Sequence, residues 1–239
     1  MALIQHQVRE LIYHTAENLD AIAEVAHGFS TRLGGVSTGA LASLNLRGAN
    51  VSGDAAEHVA ENYRRFCAAI GADHRRVVLS HQVHRDTVRV VTEADAGKGL
   101  YRERDYEADA LITNVPDLPL FVFSADCMVI LLCDPVAGCV GAVHAGWRGT
   151  AQEIVRKTVE RMAETFGARS ERLQAAIGAG IDRCCFETDR DVPEAIERAM
   201  GREAAPFLRR RGEKWLVDLK GLNRRQLELA GVPSEQMII

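Results

Sequence analysis

The sequence predicts an α+β fold, with mixed β-sheet layers flanked by helices. Three observations point there. The centre of the chain is a series of short, almost continuously apolar runs at residues 108–113, 120–124, 128–133, 139–144 and 173–180. They have strand length, and their apolarity suits strands covered on both faces. On either side, Val59, Tyr63, Phe66 and Ile70, and then Val155, Val159, Met162 and Phe166, fall at helical spacing; each series is stopped by a glycine, Gly71 and Gly167. No linker, repeat or low-complexity segment interrupts the 239 residues, so one domain is expected.

Taken in order, residues 25–31 read as a strand entering a Gly-rich loop at 32–45, and Asp54 is expected to open the first helix. Residues 77–93 read as two β segments around 81–86. The charged stretch 94–107 reads as a solvated, mobile loop. Thr150 and Glu153 have the spacing of a capping box before the second helix. Asp191 starts a further helix, residues 214–219 form a strand, and Asp218 caps a last helix ending at Gly231.

Composition narrows the function classes. Hydrophobic residues make up 47% and charged residues 26%, which excludes a disordered or fibrous chain; only 5% are aromatic, so the core is aliphatic. Lys and Arg number 29 against 33 Asp and Glu, a balance that argues against sequence-independent nucleic-acid binding. No apolar run approaches the roughly 20 residues of a membrane span. Arg9, Glu10, Glu17 and Asp20 argue against a signal peptide. Six cysteines are too dilute for a disulfide scaffold, so a cytoplasmic protein with reduced thiols is expected.

The sharpest chemical signal is the pair Cys127 and His144. Between them run a strand, the turn residues Asp134, Pro135, Val136, Ala137 and Gly138, and a second strand. Facing residues of an antiparallel hairpin keep a constant index sum. Pairing Cys127 with His144 therefore centres the turn between Pro135 and Val136, within one residue of the turn signals. The two side chains should then face each other on one side of the sheet. That closeness suits a metal pair or a nucleophile–base pair, and equally a core cysteine beside a hydrogen-bonded histidine.

His144 also begins the run HAGWRGT, in which Gly146 and Gly149 permit a tight turn and Thr150 opens a helix. Free N–H groups at a helix start beside Arg148 suit an anion, although a plain β–α connection with a solvated arginine is the commoner reading. His81 and His84 would lie on opposite faces of a strand, so one of them reaches a given site, and spacing does not say which. The remaining histidines show no ligand spacing. Cys184-Cys185 reads as a turn with one thiol inward; Cys67, Cys133 and Cys139 read as core; Arg209, Arg210 and Arg211 read as a solvated turn.

The runs HGFSTRLGGVSTG, SLNL, SHQVH, EADALIT, SADCMVILLCDP, GAVHAGWRGT and AIGAGIDRCCFE occur in that order over residues 27–187, followed by VDL and NRRQL. In this the chain resembles the YfiH-like laccase-domain family, whose members are described as polyphenol oxidases and as purine nucleoside phosphorylases. The resemblance implies an αββα-type sandwich formed by all of residues 1–239 as one laccase-like domain. It also implies metal ligation by His84, Cys127 and His144, selecting His84 over His81. The sequence departs from the family pattern at Arg85, usually Gly, and at Ala179, commonly Pro.

Two histidines and one cysteine leave a fourth position open, the pattern of catalytic zinc rather than of a closed structural site. The family implies phosphorolysis of adenosine, inosine and methylthioadenosine, together with adenosine deamination. Deamination needs water activated by the ion, whose bound-water pKa zinc lowers to about 7. Phosphorolysis needs an anion cradle, for which Arg148 and Arg32 are the candidates. Cys127, Asp126 and Arg148 are thus the candidate catalytic residues, with Asp126 orienting a ligand or the ribose hydroxyls. Arg32 and Asn45 are the candidate substrate-binding residues. Expected partners are a small nucleoside and phosphate, with no nucleic acid and no membrane.

Three rival readings remain open. A copper polyphenol oxidase fits a His2Cys set with Met128 nearby in sequence, but a multicopper enzyme needs a further cluster, usually fed by His-x-His pairs that the chain lacks. A metal-free cysteine hydrolase would use Cys127 as nucleophile and His144 as base, a reading supported by the likeness of this fold to bacterial toxin deamidases. A peptidoglycan-precursor editing factor would use the same pocket to bind a UDP-sugar amino acid.

Overall fold

The computed structural model describes residues 2–239. In chain order the strands and helices are β1 (Leu3–Val8), β2 (Leu11–Ala16), α1 (Glu17–Asp20), β3 (Phe29–Ser30), α2 (Ala49–Ser52), α3 (Ala56–Ile70), β4 (Val88–Val90), β5 (Ala110–Thr113), β6 (Met128–Asp134), β7 (Cys139–Ala145), α4 (Trp147–Ala151), α5 (Ile154–Phe166), β8 (Gln174–Ile177), β9 (Glu187–Thr188), α6 (Asp191–Met200), β10 (Leu208–Arg211), β11 (Lys214–Val217), α7 (Leu219–Leu229) and β12 (Met237–Ile238). The central sheet has six strands in the order β12-β8-β6-β7-β5-β4. Its outer pairs, β12 with β8 and β4 with β5, are parallel, and the inner ones are antiparallel. The N-terminal strands form a separate sheet, β1-β2-β3, and β10-β11-β9 a small third one.

Strand alternation builds the layers. On one face of the central sheet, Ile130, Leu132, Val143 and Ala175 pack against Val155, Val159 and Met162 of α5, Ile196 of α6 and Leu222 of α7. On the other face, Leu131, Cys133, Val140 and Ala176 meet Leu3 and Ala16 of the N-terminal sheet. β2 turns Leu11 and Tyr13 the opposite way, onto Phe66 of α3. The succession helix, sheet, sheet, helix is the αββα-type α+β sandwich that the resemblance implies. Among the described residues no helix is long and apolar enough to cross a membrane.

α3 buries Val59, Tyr63, Phe66 and Cys67 along one stripe and ends where Gly71 adopts φ 76°, a left-handed conformation that glycine adopts without steric cost. Its start differs from the expectation. Ala55, not Asp54, precedes the first turn without a side-chain cap, because the Asp54 carboxylate accepts from Ser37 and Asn45. The capping box at Thr150 and Glu153 is also absent. Thr150 lies inside α4, where its Oγ1 accepts from Asn223, and Glu153 has φ 58° at the break before α5. Asp218 does cap α7, accepting from Gly221 N–H at 2.8 Å, but that helix stops at Leu229.

Residues 120–124 form no strand. Leu120 makes a single bridge to Val78, and the Gln82 amide takes the place of a neighbouring strand for Phe123, accepting its N–H at 2.7 Å and donating to its carbonyl at 2.8 Å. The charged stretch 94–107 is cross-tied rather than freely solvated. Lys98 pairs with Asp95 and Asp105, and the Arg102 guanidinium donates to the Ala94 and Ala96 carbonyls. Arg209, Arg210 and Arg211 sit in β10, an exposed strand rather than a turn. The hairpin β1–β2 has no counterpart in the sequence reading.

Candidate metal centre and active-site cleft

The β6–β7 hairpin sets the site, in a register that corrects the expected one. Val129, not Cys127, faces His144. The turn is centred one residue further on than expected. The buried Asp134 carboxylate accepts from Val136 and Ala137 N–H, and Gly138 closes the turn at φ 61°. Cys127 therefore lies just before β6, level with Gly146 when the register is extended. Both side chains still reach the same side, because Cys127 shares the alternation of Val129. The missing Cβ of Gly146 is part of the arrangement: a methyl there would stand 2.8 Å from Cys127 Sγ and 3.2 Å from His84 Cδ2.

His84 arrives from a loop rather than a strand and has φ 59°, an uncommon backbone for a non-glycine residue. One carboxylate holds that loop. Asp109, fully buried at the start of β5, accepts from the backbone N–H of Val83 at 3.1 Å, His84 at 3.0 Å and Arg85 at 3.0 Å. The same carboxylate accepts from His144 Nδ1 at 2.8 Å. Asp109 thus positions both imidazoles and leaves His144 Nε2 to face Cys127, the arrangement by which a carboxylate behind the ring fixes a metal-ligating histidine. Asp109 is not among the residues that the sequence singles out, although it lies in the run EADALIT; the signal is an acid at the edge of an apolar strand.

The electrostatics agree with the geometry. Burial alone would raise the Asp109 pKa, but the His144 hydrogen bond and the three backbone N–H groups outweigh it and hold the carboxyl below its ordinary value. Burial would lower the His144 pKa, yet Asp109 and then Cys127 raise it to about 9.

His84, Cys127 and His144 offer ligand atoms that lie within 4.8 Å of one another, and the two imidazoles meet edge to face at 86°. Donors around a tetrahedral zinc ion stand about 3.5 Å apart, so modest side-chain rotation closes the set. The donor chemistry fits a zinc ion: two imidazoles, one anchored through its far nitrogen, a thiol, and an open fourth position. The set lines a cleft of about 1970 Å³.

Arg32, Asn45 and Asp126 also line this cleft. Asp126 is exposed directly before Cys127. The Asn45 amide is engaged with Ser52 and Asp54, so it builds the wall rather than reaching inward. Arg148 is not brought in. Its guanidinium lies 4.3 Å over the Trp147 ring, beside a separate shallow pocket shared with Arg198. Sequence reading missed Arg47 and Arg104, which line the cleft along with Arg32; among the described residues none of the three has a carboxylate partner. Arg104 donates to the Ser80 carbonyl at 3.2 Å, just before the His84 loop. His81 turns to the Arg104 carbonyl instead of the metal set.

A His2Cys group that could hold a metal ion thus lies in the wall of a large cleft, on a layered α+β frame. Residues 26–239 match the family described as multi-copper polyphenol oxidoreductase laccase, and the chain belongs to that family. A purine nucleoside phosphorylase of Deinococcus radiodurans is 42% identical over 208 residues, 87% of this chain and 76% of that protein. The adenosine deaminase RL5, from an unknown prokaryotic organism, is 34% identical over 93% of this chain and 86% of that one. The crystal structure of YlmD from Geobacillus stearothermophilus superposes with a TM-score of 0.89 at 31% identity, covering 100% of this chain and 87% of that one.

Proposed function

We propose that the cleft is the active site of a zinc-dependent purine nucleoside phosphorylase that acts on adenosine, inosine and methylthioadenosine and also deaminates adenosine. The observation that carries this reading is the His84–Cys127–His144 group facing the cleft, a set of three donors that would leave a fourth position for water or substrate. The names of the two relatives support it. Those three residues would hold the ion, and zinc, when bound, supplies Lewis-acid chemistry at that wall. Asp109 keeps the His144 ring in one tautomer and one orientation. Asp126, exposed beside Cys127, orients the ribose hydroxyls by accepting their protons in hydrogen bonds.

Phosphorolysis forms a bond from phosphate to the ribose carbon as the purine leaves, so it needs a site for the anion. Arg32, Arg47 and Arg104 support one, because guanidiniums without a carboxylate partner are available to phosphate oxygens. The donor set also suits copper. Against an oxidase, Met128 packs in the core with its thioether against Gly180, and the described residues hold no second cluster of metal-ligating side chains.

Metal analysis followed by an adenosine assay with and without phosphate tests the proposal. The expected result is one zinc per chain, adenine release that depends on phosphate, and inosine formation that does not. A metal-free protein fully active toward adenosine, and inactivated by thiol alkylation, would favour the cysteine-hydrolase reading instead.

A further inference from the structure

Outside the cleft the chain carries a pair of sulfur atoms held together. Cys184 and Cys185 are both exposed, which corrects the expectation of one inward thiol, and their Sγ atoms are 3.2 Å apart. Neighbouring cysteines in extended backbone point to opposite sides; here a turn converges them. Asp182 O accepts from the N–H of both Cys185 at 2.9 Å and Phe186 at 3.0 Å, and Cys185 O accepts from Glu187 N–H at 3.1 Å. The turn is fastened at both ends. Ile181 N–H donates to Asp126 O at 2.7 Å, and Phe186 O accepts from Val217 N–H at 3.1 Å.

We infer that Cys184 and Cys185 form a preorganised dithiol site, separate from the metal set, that captures a trivalent arsenical or a like thiophilic centre. Two sulfurs 3.2 Å apart, each about 2.3 Å from a shared atom, subtend an angle near 90°. That is the bite of a pyramidal three-coordinate centre, whereas tetrahedral zinc wants a sulfur separation of about 3.7 Å. With an organic arsenoxide, R–As=O, the As=O bond breaks and two As–S bonds form. The two thiol protons leave with the oxygen as water, and arsenic stays trivalent, so no oxidant is required. Cys67, Cys133 and Cys139 are buried and offer no competing exposed pair. The captured atom would ride on a turn bonded to the residue next to Cys127.

The test uses phenylarsine oxide and the whole protein, loaded with zinc except in Cys127→Ala, which lacks one of the three ligands. The protein is gel-filtered in excess 2-mercaptoethanol, and retained arsenic is counted by mass spectrometry. A monothiol displaces singly held arsenic but not a chelate. The expected result is one arsenic per chain in the wild type, the same in Cys127→Ala, at least a tenfold drop in Cys184→Ser and in Cys185→Ser, and release from the wild type by a small dithiol. Both serine changes are at exposed side chains, and an unchanged melting curve confirms folding. Loss of arsenic in Cys127→Ala would overturn the inference, as would full retention in either serine variant or no retention in the wild type.

Discussion

The substitution Asp109→Asn tests the account of how the site is held. In the native chain one carboxylate oxygen accepts from His84 N–H and His144 Nδ1, and the other from Val83 and Arg85 N–H. An asparagine has the same shape but only one acceptor oxygen. Its NH2 group must face one pair of donors, so two N–H groups that point at the buried carboxylate lose their partner. Each such loss costs about 1–3 kcal/mol, which predicts a stability loss of about 2–6 kcal/mol. The pair that keeps the oxygen has lost the charge that assisted it. One imidazole or the other therefore loses its orientation, and loss of such a partner weakens metal affinity by about 10- to 100-fold. The assays are urea unfolding and competitive zinc titration against a chromophoric chelator, run on the same preparations. Zinc affinity within about twofold of wild type, with an unchanged unfolding midpoint, would refute the reasoning.

Gly146→Ala should weaken zinc binding more than tenfold while leaving the fold nearly intact. The new methyl would stand 2.8 Å from Cys127 Sγ, on a backbone whose φ of −72° any residue adopts; zinc titration and thermal melting check this. Arg104→Ala should raise the phosphate KM about tenfold or more, from roughly 1.5–3 kcal/mol of lost charge-assisted bonding. Arg148→Ala, whose side chain lies over Trp147 outside the cleft, should leave that KM unchanged; initial rates at varied phosphate separate the two. Asp134→Asn should destabilise the fold at neutral pH. Burial would raise the Asp134 pKa, but Arg169 N–H, the turn N–H groups and Arg172 outweigh it and depress it. Its ionised form therefore stabilises the fold above the unfolded pKa of about 4. The gap to wild type should shrink as pH falls below that value, read by urea unfolding across pH.

Much of the fold was legible because alternation and helical spacing are local properties. The central strands and α3, α5, α6 and α7 follow from where apolar residues recur. What escaped was set by distant partners. Asp54 does not cap α3 because Ser37 and Asn45 claim its carboxylate, and residues 120–124 are not a strand because the Gln82 amide stands in for one. β1 and β2 were missed because an alternation as irregular as Leu3–Val8 shows its pairing only in three dimensions. At the site, the hairpin argument brought Cys127 and His144 to one side of the sheet but misjudged the register, since the Asp134 side chain moves the turn. His84 was out of reach of spacing rules because it sits on a left-handed loop residue, and Asp109 because its four partners come from two separate segments. Arg148 looked like an anion ligand from its glycine neighbours, but its stacking on Trp147 carries it away.

The most direct test of the central claim is phosphorus NMR of the zinc-loaded protein with adenosine and inorganic phosphate, run beside Cys127→Ala. The account predicts a growing ribose 1-phosphate resonance in the wild type, in step with adenine release, and none in the variant. Adenosine consumed by the wild type with no new phosphorus resonance, or an equal resonance from Cys127→Ala, would contradict it.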